Sequence, residues 1–93
     1  MRAKFLVIVE RGSTNYSAYS PDLPGCIASG KTIEETLDSM RSAIDFHIEG
    51  IIENGDPLPI PRTLSSYVND TDEISDSDIL TSVETDIPQL AAA

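Results

Sequence analysis

Apolar and polar positions follow two rhythms along this chain, one of period two and one of period near 3.6. Residues 4–10 read KFLVIVE, a β-branched and aromatic run stopped by Arg11, Gly12 and Ser13, which predicts a strand. Phe5, Val7 and Val9 fall on one side of it and Leu6 and Ile8 on the other. Both faces are apolar, so both sides of the sheet need cover at this strand. Residues 15–20, NYSAYS, predict a second strand after a short turn rich in Gly, Ser, Thr and Asn. Residues 21–25, PDLPG, are turn chemistry, because proline fixes φ and Asp and Gly tolerate tight bends. Residues 26–29 then read as a short third strand ended by Gly30.

The second rhythm starts at Thr32. Ile33, Leu37, Met40, Ile44, Ile48 and Ile51 recur at helical spacing and make one stripe. Thr32 and Glu35 form a capping box, each satisfying a free amide of the first turn. Asn54 and Gly55 supply the stop, and prolines 57, 59 and 61 forbid continuation. Burial of this stripe contributes very roughly 10 kcal/mol before entropy is charged, so the helix is the core-forming element. His47 projects at the stripe's margin, as a partly buried or surface side chain. Phe46 projects to the opposite side, beside Ser39, Ser42 and Gly50, and that predicts a contact surface for another chain. Beyond Pro61 the pattern loosens until residues 79–87, ILTSVETDI, which predict a last strand with Ile79, Thr81 and Val83 on one face.

Composition changes this picture in one respect. With 93 residues the chain has room for one small domain, which buries only about 60–65% of its unfolded surface and so leans on partners or copies of itself. Residues 1–61 form its core and residues 62–93 an acidic segment with the last strand, part of the same domain. Sixteen acids against six bases give a net charge of −10, which argues against nucleic-acid binding and for a basic partner. All six bases lie at or before Arg62, and seven acids follow it with no cation among them. One cysteine cannot form an internal disulfide, and one Cys with one His is too few for zinc. The apolar run 5–9 is too short for a signal or a membrane span, so a soluble cytoplasmic protein is expected.

Residues 25–32, GCIASGKT, satisfy the phosphate-loop pattern G-x-x-x-x-G-K-[ST]. A working loop follows a buried strand and opens a helix with free amides facing the phosphates. Here the first glycine follows a turn, the intervening residues read as a strand, and Thr32 serves as a cap. Cys26 with His47 could be imagined as a thiolate pair, but nothing in the spacing joins them. Glu10, Asp22 and Asp45 show no ligand pattern for a metal. No enzyme, cofactor or metal site is expected.

The residues that remain carry a resemblance. Y-x-A-Y-S-P-D-L-P-G-C, then G-x-T-x-E-E-T-L, then an amphipathic helix ending before P-L-P-x-P is similar to the HicB family of antitoxins over residues 5–61. The resemblance implies an α+β domain of order β-β-β-α-β. This would be a truncated ribonuclease H-like fold without catalytic carboxylates, one helix on a small antiparallel or mixed sheet. It implies a binding protein that neutralises a small basic HicA-type ribonuclease by masking its active site, with no chemistry of its own. Position 31 is not fixed in that pattern, so the G-K-T string is incidental.

Typical members also carry a C-terminal segment that binds promoter DNA. No such basic, helix-rich segment follows Arg62, so a short form without direct DNA binding is expected. The surface expected to meet the toxin includes Tyr19, Asp22, Leu23 and Pro24 at the strand-to-turn junction, with Asp76, Asp78 and Glu84 from the acidic segment. One helix covers only one sheet face, so Leu6, Ile8 and Phe46 are expected at the interface of a homodimer or larger oligomer. The alternative is a stand-alone oligomeric module with another protein or a small-molecule partner.

Overall fold

The computed structural model describes residues 2–59, 61 and 77–87. The alternating run at the start becomes β1, Arg2–Arg11. A four-residue turn, closed by the Gly12 N–H donating to the Asn15 carbonyl at 2.7 Å, leads back into β2, Tyr16–Tyr19. After the PDLPG turn comes β3, Ile27–Gly30, then α1, Ile33–Asn54, and finally β4, Ile79–Asp86. The sheet runs in the order β3-β2-β1-β4 with every pair antiparallel. The expected β-β-β-α-β order is therefore observed, and of the two sheet types left open the antiparallel one holds.

Register follows from the side-chain alternation. β1 pairs β2 through Ile8↔Tyr19 to Arg11↔Tyr16, and pairs β4 along its length through Arg2↔Asp86 to Val9↔Ile79. The central strand thus has a partner on each side, one near in sequence and one far. Phe5, Val7 and Val9 are fully buried against Met40, Ile44 and Ile48 of α1, with Ala18, Leu23, Cys26 and Val83 completing the cluster. Leu6 and Ile8 point to the opposite face and form a second, smaller cluster against which Tyr19 packs. The need for cover on both faces is met within the single chain, with Ile8 1% exposed and Leu6 8% exposed.

The helix starts and stops where its sequence signals stand. The Glu35 amide donates to the Thr32 hydroxyl at 3.1 Å. The reciprocal bond is displaced by one residue, since the Glu35 carboxylate accepts from the Lys31 amide at 3.1 Å instead of from the cap's own N–H. At the far end Gly55 adopts a left-handed conformation, and its N–H and that of Asp56 reach the carbonyls of Ile52 and Ile51. Within the stripe, Ile52 packs against the core cluster together with Leu37, and Thr36 is buried in place of an aliphatic residue. Its hydroxyl donates to the Thr32 carbonyl at 2.7 Å, which removes the cost of burying it. Gly30 makes this crossing possible. A Cβ there would stand 2.8 Å from both the amide nitrogen and the hydroxyl of Thr36, so only glycine lets the helix start lie on the end of β3.

Candidate partner-binding face

The turn between β2 and β3 is built by two successive backbone bonds. Leu23 N–H donates to the Ser20 carbonyl at 3.1 Å and Cys26 N–H to the Leu23 carbonyl at 3.0 Å. Gly25 takes φ 83° to let the chain double back. This winding turns Leu23 into the core, where it is fully buried, and leaves Pro24 exposed and Asp22 half-buried. Of the four residues expected here for partner contact, Leu23 anchors the turn and offers no surface.

Tyr19 closes β2 on the face away from α1. The register aligns Ile27, Tyr19, Ile8 and Leu80 in one row across all four strands. The ends of that row are open, Ile27 at 71% and Leu80 at 36% exposure. A concavity of about 350 Å³ lies beside it, lined by Glu10, Tyr19, Ile27 and Ser29 among others. Ile27 also sits on an edge strand, whose outward backbone groups are available for pairing. Neither Ile27 nor Leu80 was expected at a site. The signal was present: burying Ile79 and Val83 on one side of β4 sends Leu80 to the other, and burying Cys26 and Ala28 does the same to Ile27.

The acidic candidates do not gather at one point. Asp78 directly precedes β4, and Glu84 lies toward its other end, opposite Lys4. Asp76 lies outside the described residues. Glu84 is ion-paired with the Arg2 guanidinium, which also stands 3.7 Å from Asp86. Phe46 is 77% exposed on the outer side of α1, and Ser39 and Ser42 beside it are exposed too. It is thus open to another chain, whereas Leu6 and Ile8 are already withdrawn from solvent.

The features that the sequence offered for chemistry serve the fold among the described residues. Residues 27–30 of the phosphate-loop string are spent on β3, and Thr32 on the cap. Cys26 is buried, and that burial pushes its thiol pKa up, the reverse of what an attacking thiolate needs. Among the described residues no three of His, Cys, Asp or Glu are grouped to hold a metal ion, and no helix is long and apolar enough to cross a membrane. What the face can do is bind, through an apolar row with carboxylates near it.

Known proteins share this frame. The N-terminal domain of the Burkholderia pseudomallei antitoxin HicB superposes with a TM-score of 0.77 at 27% identity, covering 91% of this chain and all of that one. Antitoxin HicB3 superposes with a TM-score of 0.74 at 27% identity over 90% of this chain and 62% of that one. A 14.9 kDa protein from the rep-hol intergenic region of Haemophilus phage HP1 is 34% identical over 84 residues, 90% of this chain. The chain spans 62% of that phage protein's length. A UPF0150 protein of Thermoplasma acidophilum is 33% identical over 57 residues, 60% of this chain and 83% of that protein. The family model described as HicB_like antitoxin of bacterial toxin-antitoxin system matches residues 5–93. This chain, whose described residues form a four-stranded antiparallel sheet and one helix, belongs to the HicB-like antitoxin family.

Proposed function

We propose that this protein is the antitoxin of a toxin–antitoxin pair and neutralises a small basic HicA-type ribonuclease by covering its active site. The observation that carries this reading is the match to the antitoxin family from residue 5 to residue 93, in a chain with a net charge of −10. A related fold, at 24% identity, comes from a HicA3 and HicB3 toxin–antitoxin complex. An acidic protein captures a basic nuclease quickly, because complementary fields raise the encounter rate. Its carboxylates then occupy the groove where RNA phosphates lie. Tyr19, Asp22 and Pro24, with the adjacent row ending in Ile27, supply the contact, and Asp76, Asp78 and Glu84 supply the charge. Inhibition is steric and electrostatic, so this chain needs no cofactor and performs no reaction.

Co-expression with a small basic HicA-type protein tests the proposal, scored by growth rescue and co-purification. Rescue with a stable complex that weakens on Asp22→Lys supports it. A toxin that stays lethal and does not co-purify sinks it.

One observation favours a second reading, a homo-oligomeric module that acts on another partner. Phe46 is exposed among small neighbours, which suits self-association through α1. Sedimentation of the free chain and of Phe46→Ser distinguishes the two. A dimer lost in the variant, without any bound toxin, favours the module.

A further inference from the structure

We infer that the turn end of the β1–β2 hairpin is a binding site for a phosphate group, assembled from Arg11, the 12–15 turn, Tyr16 and Lys31. The register makes the assembly. Arg11 pairs with Tyr16 across β1 and β2, and Tyr16 pairs with Gly30 across β2 and β3. Lys31 follows Gly30 directly, so one row brings two cations from distant parts of the chain to the same end of the sheet. They line one concavity of about 400 Å³ together with the turn.

Charge gives this pocket its meaning. Acids outnumber bases sixteen to six, yet among the described residues neither Arg11 nor Lys31 makes an ion pair, whereas Arg2 and Arg41 do. Arg11 is held by a ring instead, its guanidinium carbon 5.9 Å from the Tyr16 centroid. A guanidinium stacked in this way keeps the in-plane N–H groups at its edge for a ligand. The carboxylate bonded to a lining residue is Glu35, and it is engaged by the Lys31 amide in the capping arrangement, which leaves the ammonium group unspent.

The turn adds neutral donors. Its closing bond uses the Gly12 N–H. The amides of Ser13 and Thr14 donate to no group among the described residues, and both side chains are exposed hydroxyls.

A phosphate monoester suits these donors better than a carboxylate does. A guanidinium fork engages two oxygens, and a third is left for the ammonium or a turn hydroxyl. A carboxylate has only two to share. The lysine of the G-K-T string thus meets phosphate by a different route from a phosphate loop, through the hairpin turn and not through a loop at residues 26–30, of which 27–30 are extended in β3. The shared chemistry fits either a free mononucleotide or the 5′ end of an oligonucleotide.

The test is an amide NMR titration of the full chain with inorganic phosphate and with adenosine 5′-monophosphate. Saturable shifts are expected at residues 12–15 and Lys31, and much weaker ones with acetate at equal ionic strength. Arg11→Gln and Lys31→Gln are each expected to weaken binding about tenfold, since each removes one charge-assisted hydrogen bond to the ligand. Both side chains are exposed, so unchanged amide positions elsewhere show that the fold persists. A 5′-phosphorylated RNA tetranucleotide that shifts the same amides, where its 5′-hydroxyl form does not, assigns the source to a nucleic-acid end. Binding of the mononucleotide alone assigns it to a free ester. Absence of saturable shifts at the turn, equal response to acetate, or full affinity in both variants overturns the inference.

Discussion

The Thr85 hydroxyl donates to Asp45 Oδ1 at 2.5 Å, joining β4 to the middle of α1 across forty positions of sequence. Thr85 is buried while Asp45 is exposed, so the bond faces the protein on one side and water on the other. Thr85→Val removes the donor and leaves a carboxylate that water can satisfy. The expected loss is about 1 kcal/mol, read as a lower urea midpoint with an unchanged slope. Asp45→Ala leaves the buried hydroxyl without its acceptor and costs about 1–2 kcal/mol. Equal stability of both variants and the parent would show that the bond contributes nothing.

Two glycines should respond oppositely to the same added methyl group. In Gly30→Ala the new Cβ meets backbone at Thr36 at 2.8 Å, and the helix start has to shift. A loss of about 1–3 kcal/mol is expected. In Gly50→Ala nothing lies within 4 Å and the position is inside α1. A gain of roughly 0.5–1 kcal/mol follows from the reduced freedom of the unfolded chain. Thermal melts of the two variants check both signs at once.

Cys26 gives stability a pH dependence at the alkaline end. Its burial raises the thiol pKa from an ordinary value of 9.0. Below that value the thiol is protonated in both the folded and the unfolded chain, and the contribution is fully present. As pH rises above it the unfolded thiol ionises first, so stability falls until the folded thiol ionises too. Unfolding free energies of the parent and of Cys26→Ala, compared from about pH 7 to about pH 10.5, should converge above the ordinary thiol value. A constant difference would contradict this.

The capping residue is a local test of where the helix begins. Thr32→Ala removes the acceptor for the Glu35 amide and should cost about 1 kcal/mol. Thr32→Asn should restore most of it, because an amide oxygen caps comparably. Helix content by circular dichroism and the melting temperature follow the two effects.

Much of this fold was legible in the sequence, and the reason is that its signals are local. Alternation in KFLVIVE, the Thr32 cap and the Asn54-Gly55 stop each act over a few residues, so β1 and α1 fall close to where the pattern puts them. Leu23 and Thr36 were not legible. Whether a turn leucine points to a partner or to the core depends on which element passes beneath it, and that is set by the β2–β3 crossing under α1. Thr36 looks polar in sequence but is buried because Gly30 leaves it room and the Thr32 carbonyl accepts its proton. The described residues among those read as one partner surface are divided for a similar reason. Composition places acids near one another in sequence, while an eight-residue strand carries Asp78 and Glu84 toward opposite ends.

The pairing of β1 with β4 also fixes an order of events. Residues 2–9 leave the ribosome before their partners 79–86, which come about seventy positions later, on the order of several seconds at cellular synthesis rates. Throughout that interval the most apolar strand of the molecule has one open edge, held on its other side by a hairpin of four pairs. Nascent chains on one messenger therefore present matching sticky edges to each other before any can close. The finished sheet thus encloses a strand whose edge stays open during synthesis until β4 arrives.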